Sequence, residues 1–163
     1  MKTVLIIDGR DDARFFSFLV STVENGKKIT IEKRVLFEPY DLLIDGDVLS
    51  TMNLALVDVG PDGDLLDKAR TSLGQGEEII MTVVECVRRF FEKYPDEIVY
   101  FEGSTESNQK KSSRTRYYRI LLSRRENYNL VNQYVTVYGV SADGNIFNYE
   151  PNADCIAFLI ENK

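Results

Sequence analysis

"RFFSFLVSTVENGKKITIEKRVLFE", residues 14–38, decides the fold class. Its first ten residues are aromatic and β-branched, a composition that suits a pleated, half-buried strand. Asn25-Gly26 follows, the strongest short-range signal for a two-residue hairpin turn. Beyond it Ile29, Ile31, Val35 and Phe37 share one face, while Thr30, Glu32 and Arg34 occupy the other. Lys33 interrupts the apolar row. A period of two with one wet face belongs to an antiparallel strand. Residues 14–38 are therefore expected to form a β-hairpin.

The rest of the chain extends that frame. Thr3 to Ile7 is a short apolar run that suits a strand or a packed arm, and "NLALVDV", residues 53–59, reads as a strand ended by "GPDGD". In "EEIIMTVVECVRRFFEKYP", residues 77–95, Ile80, Val83, Val84, Val87, Phe91 and Tyr94 recur at helical spacing. Glu77 and Glu78 stand where a helix dipole favours anions, Glu85 and Arg89 form an i,i+4 pair, and Pro95 marks the end. "EIVYFE", residues 97–102, is a strand running into Gly103-Ser104-Thr105. "RTRYYRILLSRREN", residues 114–127, reads as a second helix capped by Ser112 or Ser113. The aromatics of residues 115–123 fit a strand as well, which would put Arg116 and Arg119 on opposite faces. "YVTVYGV" and "NIFNYE" flank a hairpin-type turn at Ser141–Gly144, and "CIAFLI" is a final strand. Strands at both ends with two principal helices between them predict a single α+β domain over residues 1–163. Its sheet is expected to be curved and mainly antiparallel, with the helices packed on one face.

Composition excludes several classes of function. The chain has no histidine, which removes Ser-His-Asp and Cys-His catalysis, His general bases and His-metal sites together. Cys86 and Cys155 lie far apart, with no CxxC spacing, and read as buried thiols. No metal site and no cofactor are expected. No apolar run approaches the roughly 18 residues of a membrane span, and the N-terminus lacks the apolar core and cleavage site of a signal peptide. A cytoplasmic protein without membrane contact is expected.

One stretch departs from the acidic balance of net −6. Residues 101–125, "FEGSTESNQKKSSRTRYYRILLSRR", hold seven cations, with no acid between Glu106 and Glu126. A strand ending in Gly-Ser-Thr presents backbone N–H groups and two hydroxyls at one place, and glycine permits close approach. A following helix N-terminus adds donors and partial positive charge. Arg114, Arg116 and Arg119 add guanidinium forks suited to phosphate or carboxylate. Gly103, Ser104, Thr105, Arg114, Arg116 and Arg119 are thus the candidate ligand-binding residues. The layout is not a P-loop, because no GxxxxGK[ST] is present. The same arginines also read as a solvated helix face. The chain's other 13 Lys and Arg stand against all 26 of its Asp and Glu, so internal partners are plentiful.

Together with "NLALVDVG" and "TVVECVRRFF", this stretch resembles a family of short bacterial proteins of unassigned function. In that family a strand leads into Gly-Ser-Thr, and Arg-Thr-Arg-x-Tyr-Arg follows. Here Arg114-Thr115-Arg116-Tyr117-Tyr118-Arg119 matches the second half, after a longer loop, "ESNQKKSS". The resemblance implies a shared fold and no particular activity.

Three other patterns are weaker. Asp8, Asp11, Asp12 and Asp58 near strand ends look like the acids of a phosphoacceptor receiver domain. A hairpin, not a helix, follows Asp12, and no strand ending in Lys follows Asp58, so turn carboxylates are the better reading. The Asp-Gly clusters lack the spacing of a calcium loop. Tyr117 and Tyr118 beside arginines suit base stacking, but a sequence pI near 4.8 argues against a nucleic-acid binder. Three functions remain open. One is a binding module for an anionic ligand. The second is a His-free nuclease or phosphoryl-transfer enzyme in which Glu102 or a tyrosine moves protons. The third is an interaction module that meets an acidic protein partner or forms a homodimer through exposed edge strands.

Overall fold

The computed structural model describes residues 6–59, 65–66, 76–102 and 122–163. In chain order the elements are β1 (Ile6–Gly9), β2 (Phe15–Glu24), β3 (Lys27–Ile44), β4 (Asp47–Val59) and β5 (Leu65–Leu66). Then come α1 (Gly76–Lys93), β6 (Ile98–Glu102), α2 (Arg125–Asn132), β7 (Val135–Val140), β8 (Ile146–Asn148) and β9 (Ala157–Asn162). The strands form one sheet in the order β1-β2-β3-β4-β6-β9-β7-β8, with β5 paired to β4 off that path. The sheet is curved and open, and the α+β expectation holds.

The hairpin of residues 14–38 is present. Phe15 pairs with Leu36 and Glu24 with Lys27. Asn25 and Gly26 both take positive φ, 52° and 75°, the geometry a two-residue turn needs to match strand twist. One boundary differs from the sequence reading. β3 does not stop at Glu38 but continues through Pro39 to Ile44, and β4 starts at Asp47 rather than at residue 53. A second turn of the same kind, Asp45 (φ 51°) and Gly46 (φ 83°), joins them. Pro39 is tolerated because it lies past Leu36, the last β3 residue paired with β2, where a missing N–H breaks no ladder on that side.

β4 and β6 are parallel, the one such pair among the described strands, with Met52 opposite Val99 and Asn53 opposite Tyr100. Parallel neighbours require a crossover, and α1 lies in it. The last strand, β9, enters between β6 and β7 and is antiparallel to both.

The main core lies between the sheet and the helices. Of the expected stripe of α1, Ile80, Val83, Val87 and Phe91 are buried and Val84 and Tyr94 half-buried; Phe90, which that stripe left out, is fully buried. Contacts give the helix its direction. Its first half, at Ile80, Val83 and Val84, shares a cavity with Val135, Val137 and Phe158. Toward its end Phe90 stacks on Phe37 of β3, with ring centres 4.4 Å apart. Lys93 donates to the carbonyl of Asp11. α1 therefore crosses from the β7–β9 side of the sheet to the β1–β3 side. The expected Glu85–Arg89 pair forms at 2.9 Å, and Arg88 joins it through Glu85 and Glu92. These bonds hold the Glu85 carboxyl below its ordinary range.

Of the second helix expected over residues 114–127, residues 114–121 lie outside the described residues. Leu122 and Ser123 are helical, Arg124 is a bend that interrupts the expected span, and a helix then runs from Arg125 to Asn132. Glu126 lies in the first turn of that helix, where its charge suits the dipole. Asn127 and Val131 are buried against the core.

Candidate functional site

Gly103, Ser104, Thr105, Arg114, Arg116 and Arg119 lie outside the described residues, as do Ser112, Ser113, Tyr117 and Tyr118. Glu102 is described, and its surroundings define the place where the candidate segment begins. It is the last residue of β6. Because β6 is parallel to β4, both strands finish at the same end of the sheet. β3 occupies one side of β4 along its whole length. On the other side β6 pairs with Met52 and Asn53, and β5 with Asp58 and Val59. β6 ends at Glu102, opposite Ala157, where its other partner β9 begins.

On the face away from the helices, the Tyr100 hydroxyl donates to Glu102 Oε2 at 2.6 Å. The Tyr40 ring, from β3, stacks on Tyr100 with centres 5.3 Å apart and planes 19° from parallel. Between them in the sheet is Thr51, 1 % exposed, whose hydroxyl donates to the Tyr40 carbonyl at 2.7 Å. Burial pushes the Tyr100 phenol far above its ordinary pKa, and its bond to the Glu102 carboxylate and the charge there push further. The phenol stays protonated at neutral pH. The arrangement fixes the Glu102 side chain and turns it back along β6. It does not supply a proton donor poised near pH 7.

On the helix-bearing face of the same end, Lys33 and Asp58 stand directly opposite each other on β3 and β4. Lys33 Nζ lies 2.6 Å from Asp58 Oδ1, with the two side chains 1 % and 2 % exposed. A lysine in an apolar row has two outcomes, a bulge toward water or a buried partner, and the register supplies the partner. Sequence reading found Lys33 as an interruption and Asp58 as a strand end, but had no register to join them.

Of the remaining acids, Asp11 and Asp12 lie in a turn, and Asp8 is in β1 opposite Ser17. Asp8 accepts from the Gly9 N–H at 2.9 Å and Asp12 from the Arg14 N–H at 3.1 Å, and Asp8, Asp11 and Asp12 are all exposed. Among the described residues no group of three or more carboxylates and thiols is placed to hold a metal ion. Cys86 is fully buried, and burial holds its thiol far above the ordinary range, so it is inert. No helix among the described residues is long and apolar enough to cross a membrane.

These features define an α+β protein with an open, mostly antiparallel sheet, one parallel pair, and a strand-end region carrying Glu102 on one face and a buried ion pair on the other. The chain belongs to DUF6934, a family of unknown function, whose family model matches residues 8–163. No curated protein and no solved structure matches it.

Proposed function

We propose that the protein is a binding module that holds an anionic group, phosphate or carboxylate, with Gly103, Ser104, Thr105, Arg114, Arg116 and Arg119. The observation that carries this reading is the position of Glu102, one residue before Gly103. It ends β6 at the end where the parallel strands β4 and β6 both finish. Open sheets with parallel strands place ligands outside the carboxyl ends of those strands. Glu102 itself is turned back to the Tyr100 hydroxyl. The chemistry of the segment supplies the rest: hydroxyls and backbone N–H groups for an oxyanion, and guanidinium forks for its charge.

Binding is favoured over catalysis by Glu102 because Tyr100 retains its proton at neutral pH, and the carboxylate that accepts from it is committed. Two reduced, buried cysteines accord with a cytoplasmic setting.

A thermal-shift series with phosphate, nucleotides and short RNA tests the reading. At least one anion should raise the melting point, since a ligand bound only by the native state stabilises it. The Arg116→Ala/Arg119→Ala variant should lose that shift while melting where the wild type does without ligand. If that variant melts much earlier, the arginines are structural. RNA cleavage lost in Glu102→Gln would replace binding with catalysis.

A further inference from the structure

The far halves of β3 and β4 form a ribbon whose inner part joins the second core, through Tyr40 on Tyr100 and through Leu42 and Leu49, and whose outer part carries the exposed Leu43 and Val48. β3 has its last β2 partner at Leu36, and the β4–β6 pairs are at Met52 and Asn53. Residues 38–51 therefore run past the sheet as two strands, with no third strand on either long edge among the described residues. Leu43 and Val48 face each other directly across the ribbon and are 71 % and 62 % exposed. Tyr40, on the other face, is 45 % exposed.

The charge around them has one sign. Between Arg34 and Lys68 the sequence contains no Lys or Arg. Glu38, Asp41, Asp45 and Asp47 all lie on the ribbon and are exposed. Acids and Pro39 on an edge discourage a second copy of the same ribbon, because like charges would meet. The acids ring an exposed apolar pair, Leu43 and Val48, with negative charge. Anionic lipid and nucleic acid are repelled by the same four carboxylates.

We infer that this ribbon is a docking surface for a partner segment that alternates Lys or Arg with apolar residues and adds as an extended strand to an open edge. Main-chain hydrogen bonds would supply pairing, Leu43 and Val48 the apolar contact, and Asp41, Asp45 and Asp47 the choice of sign. The inference does not involve residues 103–119, so it stands or falls separately from the anion site.

The probe is a fluorescein-labelled peptide of alternating Val and Lys, compared with its Val and Glu counterpart by fluorescence anisotropy at about 150 mM salt. The Val-Lys peptide should bind and the Val-Glu peptide should not. Leu43→Ser/Val48→Ser, which leaves every charge in place, should weaken binding about tenfold or more. Asp45→Asn/Asp47→Asn should weaken it and flatten its salt dependence. Amide shifts in the wild-type protein on titration should centre on residues 38–51. The inference is overturned if the apolar double variant binds equally well, or if the shifts centre elsewhere. It also fails if sedimentation shows a dimer that the apolar double variant dissociates, for then the occupant is a second copy.

Discussion

Lys33 shows what one residue can and cannot disclose. Its place in the row Ile29, Ile31, Val35, Phe37 announced that a cation would be buried or that the row would break. Its partner was not legible, because Asp58 becomes a neighbour only through a register set by the Asp45-Gly46 turn. A buried pair of this kind is asymmetric in energy. Removing one member takes the ion-pair partner from a buried charge, at about 3–5 kcal/mol, whereas replacing both with apolar residues of similar size is often neutral. Asp58→Ala is accordingly expected to lose several kcal/mol in urea unfolding, and Lys33→Met/Asp58→Leu to recover most of it. Equal losses in both variants would mean that the pair adds net stability. Tyr100 gives a second test, in pH. Its pKa in the folded protein lies above the 10.0 of an ordinary phenol. A raised pKa stabilises the protonated form, so this contribution is complete below pH 10 and fades as pH rises through the folded value. An ultraviolet titration should find the Tyr100 phenol ionising well after the exposed ones. Tyr100→Phe should remove that late step and flatten the alkaline fall in stability.

Elements were legible where local chemistry and period agreed. The β2–β3 hairpin carried both a turn signal and alternation, and α1 carried its apolar stripe, its acidic start and Pro95. The extension of β3 was hidden, since Pro39 interrupts the strand signal and the "DGD" turn sat among other acidic turns that resemble it. The helix of residues 125–132 was hidden differently. "RENYNLVN" has only Tyr128, Leu130 and Val131 as apolar residues, too few to reveal a stripe. α2 is short for the same reason, and its packing against α1 is incomplete. A cavity of about 50 Å³ lies between the helices and β6, β7 and β9, lined wholly by apolar side chains such as Val84, Leu122 and Val131. Such a space forfeits dispersion contacts on every wall. Val84→Leu directs one further methylene group toward it from a half-buried position. The variant is expected to gain about 0.5–2 kcal/mol in chemical unfolding, the usual return for filling a void. A loss of stability would show that the walls do not yield and the added carbon clashes.

At the scale of the molecule, the order of strands was the least legible feature, because nothing in a strand's own sequence says which open edge it will join. "CIAFLI" read as a final strand, and a chain end is commonly an edge. Instead β9 is interior. It pairs with β6 at five register positions, Ile98–Glu161 to Glu102–Ala157, and with β7 at six, Val135–Asn162 to Val140–Ala157. Without β9, among the described strands β6 keeps only its short parallel pairing with β4, and β7 and β8 pair only with each other. Phe158 and Leu159, 2 % and 3 % exposed, also close the cores on the two faces of the sheet. The candidate site hangs on the same strand, since Glu102 is held opposite Ala157 at the point where the chain leaves β6. Folding therefore waits on β9 and on pairings distant in sequence, which places it among slow folders. A chain ending at residue 156 should lack both a cooperative thermal transition and the near-ultraviolet dichroism of packed aromatics, while keeping some far-ultraviolet signal from the β2–β3–β4 hairpins. If that chain instead melts cooperatively within a few degrees of the full one, β9 is not the strand that joins the two halves of the sheet, and the position assigned to Glu102 fails with it.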